Sequence, residues 1–107
     1  MRLENALKYS AKLDQNRAAM AGSGTVYLIQ CGNHPLFKIG VATELSNRLS
    51  IMQVNCPFKL SIIASKLSPH PYELEKQLHY IVDEHRVRGE WFKLTRKSLD
   101  AVLIGFR

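Results

Sequence analysis

The sequence predicts an α/β domain (more narrowly α+β) with a small, mainly antiparallel sheet of three to four strands flanked by helices. Short runs rich in β-branched and aromatic residues alternate with segments whose apolar residues recur at helical spacing. The second and third strand runs are too apolar for a sheet with one face in water, so helices should cover both faces. The predicted order of elements is α-ββ-α-β-α-β-α.

The first predicted element is an amphipathic helix over residues 2–20. The "GSG" of residues 22–24 ends it and forms a hinge or short linker. The chain therefore divides into an N-terminal helix and linker, residues 1–24, and a folded domain, residues 25–107. The helix can pack on the domain, pair with a second copy or another protein, or end a connector, and the sequence leaves these alternatives open.

A β-hairpin and a helix follow. "TVYLIQC" (25–31) and "LFKIGVA" (36–42) flank the turn-forming cluster "GNHP". Thr43 is the expected N-cap of the next helix, and Glu44 lies in its first turn, where negative charge favours the helix dipole. The predicted buried stripe of this helix is Leu45, Leu49 and Met52.

Two further strands and two helices complete the domain. "KLSIIASKL" (59–67) predicts a third strand, a helix follows over 72–85, and a short strand is expected in "GEWFKL" (89–94). Thr95 should cap the final helix. The apolar residues expected on the inner faces of the last two helices are Leu74, Leu78, Ile81, Val82, Leu99, Val102 and Leu103.

The charge of the chain favours a polyanionic partner. Among 107 residues, 15 are basic and 9 acidic, which gives a net charge of +6. The most direct such partner is DNA. The segment "RVRGEWFKLTRK", residues 86–97, concentrates the excess and suits phosphate contacts. The alternative is that the charge serves solubility alone.

Membrane insertion and secretion are not expected. No apolar run approaches the ~20 residues of a membrane-spanning helix, and the first segment carries acids throughout, unlike a signal peptide. The expected location is the cytoplasm, or the nucleus in a eukaryote. Cys31 and Cys56 lack CxxC or His/Cys spacing, so free thiols are expected there, with a disulfide between them as the alternative.

One strand position is unusual, because Lys38 lies inside the second apolar run. "TVY" ends at Tyr27, "KIG" begins 11 residues later at Lys38, and Arg48 follows after another 10. Together with Glu75 in "ELEKQLH", this series resembles the GIY-YIG nuclease superfamily. Its signature is a Gly-Ile-Tyr-like strand, a Tyr-Ile-Gly-like strand, an arginine on the next helix and a glutamate on a later one. The resemblance implies a GIY-YIG-like fold.

One branch of that superfamily, found in phage proteins and fungal meiotic proteins, is more similar still. The motifs "VYLI", "KIG", "RL", "EKQLH" and "RVRGEWF" occur in that order within residues 24–94. Each motif alone is weak, whereas five in order are specific. This resemblance implies a metal-dependent DNA endonuclease.

The resemblance implies a role for each of four catalytic candidates. Tyr27 would be the general base for the attacking water, and Lys38 would favour its phenolate or orient the water. Arg48 would stabilise the charge of the transition state. Glu75 would bind a single Mg²⁺ or Mn²⁺. The structural alternatives are a plain strand tyrosine, a solvated arginine and a glutamate that pairs with a lysine one turn away.

Residues that contact DNA are expected around this site. His79 lies one helical turn after Glu75 and is either a phosphate contact or a packed helix histidine. Glu90 and Trp91 of "GEWF" are expected to be structural, with Trp91 in the core and Glu90 bonded to backbone or to Arg48. The residues predicted to bind DNA are His79, Arg86, Arg88, Lys93, Arg96 and Lys97.

Two features of the resembling family are missing. Position 52 is methionine where many active members have His or Tyr, and no asparagine follows Glu75. The sequence therefore predicts either an endonuclease or a catalytically weak or inactive DNA-binding module of the same fold. A protein-interaction domain that uses the N-terminal helix is a third alternative.

Overall fold

The computed structural model describes residues 22–107, and the predicted helix over residues 2–20 lies outside them. No helix within the described range is both long enough and apolar enough to span a membrane. The elements are β1 (Gly24–Cys31), β2 (Leu36–Ala42), α1 (Leu45–Val54), β3 (Leu60–Ser68), α2 (Pro71–Ile81), a 3₁₀ helix (Asp83–His85), β4 (Arg86–Arg88), β5 (Trp91–Lys93) and α3 (Arg96–Ile104).

The five strands form one sheet in the order β3-β1-β2-β5-β4, with every neighbouring pair antiparallel. The predicted α+β class is therefore confirmed, but three to four strands were too few. The additional strand is β4, whose three residues are all exposed, so it lacks the alternation that identifies a strand in sequence. It forms because Gly89, at φ +57°, turns the chain back and lets Arg88 pair with Trp91.

Side chains alternate along β1, so each face of the sheet has its own core. Val26 and Leu28 point to the face covered by α2 and α3, and Tyr27 and Ile29 point to the face covered by α1. The prediction of helices on both faces is confirmed. The predicted stripe of α1 is only half-buried. Within the described range α1 is the only helix packed on its face, so solvent reaches its flanks.

The helix ends follow the predicted capping chemistry in part. Thr95 caps α3 through a capping box, in which its hydroxyl accepts from the amide of Ser98 and the Ser98 hydroxyl accepts from the amide of Thr95. The N-cap of α1 is Glu44, without a side-chain hydrogen bond, and not Thr43 as predicted. The helix predicted over residues 72–85 ends at Ile81, and the chain then forms the 3₁₀ turn.

Candidate active site

Tyr27 and Lys38 share one face of the sheet because of the register between β1 and β2. Tyr27 is paired with Gly40. Lys38 precedes Gly40 by two residues and so lies on the same side of β2. This is the face covered by α1, the helix that carries Arg48. The hairpin therefore brings the first two predicted catalytic residues together.

The hydroxyl end of Tyr27 lies over Gly40, where a side chain would be excluded. A Cβ atom at Gly40 would lie 2.6 Å from Cζ of Tyr27, in contact with its hydroxyl oxygen, and 3.0 Å from Oε1 of Glu90. Such separations are well inside the normal 3.5–4.0 Å range of van der Waals contacts. Gly40 is required by this close approach and not by its φ angle, which is not positive. The missing side chain leaves room for the Tyr27 phenol and the Glu90 carboxylate.

The ammonium group of Lys38 is at the centre of the candidate site. Its Nζ lies 4.0 Å from Oε1 of Glu90 and donates a hydrogen bond to Sδ of Met52 over 3.3 Å. The side chain is 20% exposed. Burial lowers the pKa of this amine below its usual value of 10.5, and the nearby Arg48 lowers it further. The carboxylates of Glu90 and Glu75 act in the opposite direction.

The charged neighbours of Lys38 come from three distant parts of the chain. Glu90 belongs to the turn between β4 and β5, Arg48 to α1 and Glu75 to α2. Charges perturb a pKa appreciably only at short range, so these groups share one neighbourhood. The structure therefore places Arg48 and Glu75 within electrostatic reach of Lys38, on whose face of the sheet Tyr27 also lies.

Two of the predicted catalytic residues are nearly closed off from solvent. Tyr27 is 2% exposed and packs in the core under α1, and Glu75 is 6% exposed. Arg48, in contrast, is exposed, and Lys38 is half-buried. A ligand that approaches the site therefore reaches the two cations before it reaches the phenol or the Glu75 carboxylate.

His79 connects α2 to the sheet. Its Nε2 lies 2.9 Å from the carbonyl oxygen of Ile39, and a carbonyl can only accept, so the ring donates this hydrogen bond. The ring centre lies 5.1 Å from that of Phe92. Because His79 follows Glu75 by one turn, these contacts also fix the part of α2 that carries the carboxylate. A phosphate contact from His79 stays a prediction.

The predicted DNA-binding cations differ in how strongly the protein already holds them. Arg86 lies 3.1 Å from the carboxylate of Asp83, donates to the carbonyl of Gly89 and covers the ring of Phe92 at 4.8 Å. This guanidinium therefore stabilises the turn around Gly89. Arg88, Lys93, Arg96 and Lys97 are exposed as well.

Arg88 and Lys93 lie on the same face of the sheet as Lys38. Lys38 is paired with Trp91, and Trp91 is paired with Arg88. Directly paired residues of antiparallel strands project to the same side, as do residues two apart along one strand, such as Trp91 and Lys93. The other two exposed cations begin α3, which packs on the opposite face.

Glu90 approaches Lys38, whereas the sequence predicts a bond to backbone or to Arg48. The sequence predicts a structural role for it, whereas its carboxylate lies 4.0 Å from the Lys38 ammonium. Two signals point to this position. Gly89 marks a tight turn just before Glu90, and the strand that follows needs an edge to pair with, which is the edge of β2 that carries Lys38.

A divalent metal ion fits this site if the protein supplies few of its ligands. Among residues 22–107, no group of three or more His, Cys, Asp or Glu side chains is placed to hold a metal. Mg²⁺ is commonly bound through one or two carboxylates, with water and substrate phosphates as its other ligands. Glu75, whose buried carboxylate is one of the charged neighbours of Lys38, is the residue that would hold such an ion. One carboxylate is compatible with a single hard cation that takes its other ligands from water and phosphate.

Comparison with known proteins gives one family. The T5orf172 domain matches residues 24–107. This domain is found in phage and homing-endonuclease-like proteins, which suggests a nuclease or DNA-binding role. No curated protein and no solved structure matches the chain. Because the match covers most of the chain and every residue of the candidate site, the chain belongs to the T5orf172 domain family.

Proposed function

We propose that this chain is a metal-dependent DNA endonuclease of the GIY-YIG type, which hydrolyses phosphodiester bonds. The supporting observation is the set of charges around Lys38. The guanidinium of Arg48 and the carboxylates of Glu75 and Glu90 influence one half-buried ammonium beside the phenol of Tyr27. Burying charged groups is unfavourable for folding, so their retention at one place favours a reaction site.

In the proposed reaction, water attacks the phosphorus of a DNA backbone phosphate, and the bond to the 3′ oxygen breaks. Tyr27 acts as a phenolate, which the Lys38 ammonium on the adjacent strand stabilises; it accepts a proton from this water and becomes the neutral phenol. Arg48, exposed at the site, stabilises the negative charge that builds up on the phosphoryl oxygens. A single Mg²⁺ or Mn²⁺ bound by Glu75 would act as the Lewis acid for the leaving oxygen.

The DNA would lie across the sheet face that carries Lys38. Arg88 and Lys93 are exposed on this face, on the two strands beyond β2, and can neutralise backbone phosphates next to the cleaved bond. Phosphate contacts position the duplex without reading its sequence. The proposal therefore concerns the DNA backbone and not a particular target sequence.

Plasmid nicking tests the proposal. The full chain with Mg²⁺ or Mn²⁺ should convert supercoiled plasmid to open circles, and EDTA should prevent it. Glu75→Ala should lower the nicking rate by at least about 100-fold, since it removes the metal ligand. Glu73→Ala removes an exposed carboxylate from the first turn of the same helix and should retain the rate. Equal nicking by wild type and Glu75→Ala would indicate a contaminating nuclease and contradict the proposal.

A DNA-binding module of the same fold, weak or inactive in cleavage, is the second candidate. Two observations favour it. Tyr27 is 2% exposed, so its phenol is poorly placed to meet solvent water. Met52 contacts Lys38 at a position where many GIY-YIG nucleases have His or Tyr. Salt-sensitive DNA binding without nicking in either metal would select this function.

A further inference from the structure

The turn between β4 and β5 fixes the backbone of Glu90. Gly89 adopts φ +57°, a conformation that favours glycine, and the Arg86 guanidinium donates to its carbonyl. From the other side, the amide of Ile39 donates to the carbonyl of Glu90 over 3.1 Å. The backbone of Glu90 is therefore held against β2, next to Lys38.

The side chain of Glu90 lies close to both Lys38 and the hydroxyl end of Tyr27, the predicted base. Its Oε1 lies 4.0 Å from Nζ of Lys38. The same oxygen lies 3.0 Å from the place where a Cβ of Gly40 would be, and the hydroxyl of Tyr27 approaches that place as well. The Glu90 side chain is only 31% exposed, so solvent screens its charge in part.

We propose that Glu90 is a positioning residue that keeps the Lys38 ammonium charged and beside the Tyr27 phenol during phosphodiester hydrolysis. The proposal rests on the endonuclease function above and extends it to a residue to which the sequence gives only a structural role. The positioning acts through Lys38, because it is the ammonium and not Glu90 that stabilises the phenolate.

The other neighbours of Lys38 cannot replace Glu90. From α1, Met52 offers a neutral sulfur and Arg48 repels the ammonium. From α2, Glu75 attracts the ammonium less than Glu90 does. From β1, the Tyr27 phenol is neutral until it loses its proton. Glu90 is therefore the main anionic partner of Lys38 as long as Tyr27 is protonated.

The pKa of Lys38 reports directly on the influence of the Glu90 carboxylate. Burial lowers the pKa of Lys38, and Glu90 is the largest influence in the opposite direction. Without the Glu90 carboxylate, burial and Arg48 would be opposed by Glu75 alone, so the pKa of Lys38 should fall further. This direction holds without DNA and without metal.

Titration of Lys38 in the full chain, followed by NMR through its ¹³Cε and ¹⁵Nζ shifts, tests the proposal without reference to cleavage. Glu90→Gln should move the Lys38 midpoint to lower pH, and Glu90→Asp, which keeps the charge on a shorter side chain, should give a midpoint in between. Glu84→Gln removes an exposed carboxylate from the neighbouring 3₁₀ helix and should leave the midpoint unchanged. Equal midpoints in wild type, Glu90→Gln and Glu84→Gln would overturn the proposal.

Nicking kinetics give a second test. Glu90→Gln should lower kcat by on the order of 10–100-fold, as the loss of a partner that orients a catalytic group typically does. KM for DNA should change little, because Glu90 is not one of the proposed phosphate contacts. The alkaline limb of the kcat–pH profile should move to lower pH together with the Lys38 midpoint. A fall in kcat with an unmoved pH profile would indicate a purely structural role and overturn the proposal.

The experiments distinguish a wrong role for Glu90 from a wrong endonuclease function. A wild-type chain that never nicks overturns both the endonuclease and the catalytic part of the Glu90 role. Nicking by wild type with an unmoved Lys38 midpoint in Glu90→Gln overturns the Glu90 role alone. If Glu90→Gln loses cooperative thermal unfolding, Glu90→Asp is compared with Glu84→Asp instead, and equal Lys38 midpoints in that pair overturn the proposal.

Discussion

The ammonium group of Lys38 donates a hydrogen bond to the sulfur of Met52 over 3.3 Å, where β2 meets α1. A thioether is a weak acceptor and carries no charge to balance the ammonium. The compensating charge comes from Glu90 and Glu75, and burial still lowers the pKa of Lys38 in their presence. Lys38 in its charged form therefore lowers the stability of the folded domain.

Lys38→Met should abolish nicking and raise the free energy of unfolding near neutral pH. Methionine keeps much of the length of the side chain and removes the charge that burial disfavours. The expected gain is about 0.5–1 kcal/mol, which corresponds to a Tm increase of roughly 2–8 °C for a domain of this size. Thermal denaturation and plasmid nicking measure the two effects.

The stability gained by Lys38→Met should shrink as the pH rises. The pKa of Lys38 is lowered only in the folded chain, so below that folded pKa the penalty of the buried charge is complete. Above the ordinary value of 10.5 the amine is neutral in both states, and the penalty is absent. Lys76→Met, at an exposed position of α2, is the control and should leave Tm unchanged. A Lys38→Met chain less stable than wild type near pH 7 would contradict this account.

Gly40→Ala should destabilise the domain by about 1–3 kcal/mol, the usual range for overpacking. The new methyl group would meet Cζ and the hydroxyl of Tyr27. Tyr27→Leu shortens that side chain and should remove part of the loss, so a double-mutant cycle by urea denaturation should give a coupling of about 1 kcal/mol. Strictly additive effects would mean that Tyr27 does not lie over Gly40.

Cys56 should react with iodoacetamide before Cys31. Both are free thiols, as the sequence predicts, and their sulfur atoms lie 3.9 Å apart. Cys31 is buried, and burial raises the pKa of its thiol, with Cys56 adding to the effect. The thiolate is the reactive form, and Cys56 is the more exposed of the two. Peptide mass spectrometry after timed labelling measures both rates, and faster labelling of Cys31 would be inconsistent with its burial.

Arg88 and Lys93 should contribute to DNA affinity. Arg88→Gln or Lys93→Gln should weaken binding of a short duplex and reduce the slope of log K against log salt concentration by about 0.9 each, the value for one phosphate contact. Fluorescence anisotropy over a range of salt concentrations measures this slope. Lys76→Gln, on the exposed side of α2 together with Glu73 and Tyr80, should leave the slope unchanged. Equal slopes in all variants would exclude this face as the DNA-binding surface.

Arg86 should contribute to the folding stability of the domain and not to its DNA affinity. Arg86→Gln loses an ion pair with Asp83, a hydrogen bond to Gly89 and a contact with the Phe92 ring. We expect the free energy of unfolding to fall by about 1 kcal/mol, with a salt slope of DNA binding close to that of wild type. A stability equal to wild type, combined with a reduced slope, would show that Arg86 contacts phosphate after all.

Elements defined by local patterns could be predicted from the sequence. Strand β2 has the predicted bounds, residues 36–42, because an apolar run there follows a turn cluster and ends before polar residues. Thr95 was recognisable as a cap, and Ser98, three residues on, completes its capping box. Lys38 stood out because a cation inside an apolar strand conflicts with local propensity. The face that it shares with Tyr27 follows from hairpin register alone.

The parts of the site that depend on distant pairing could not be predicted in this way. Strand β4 is polar and exposed, and it exists only because Gly89 turns the chain onto β5. The position of Glu90 depends on a hydrogen bond from Ile39, far earlier in the chain. The sequence order of the motifs indicated that Arg48 and Glu75 belong to one site. It left open whether Glu90 bonds to backbone or joins them beside Arg48, and it did not predict the approach of Glu90 to Lys38.

The strand order also sets when the site can form during synthesis. The β1–β2 hairpin requires nothing beyond residue 42, so it can pair soon after this part of the chain leaves the ribosome. The outer edge of β2 stays open until Trp91 emerges and pairs with Lys38. A nascent chain thus acquires the lysine early and its glutamate partner only when the domain is almost complete.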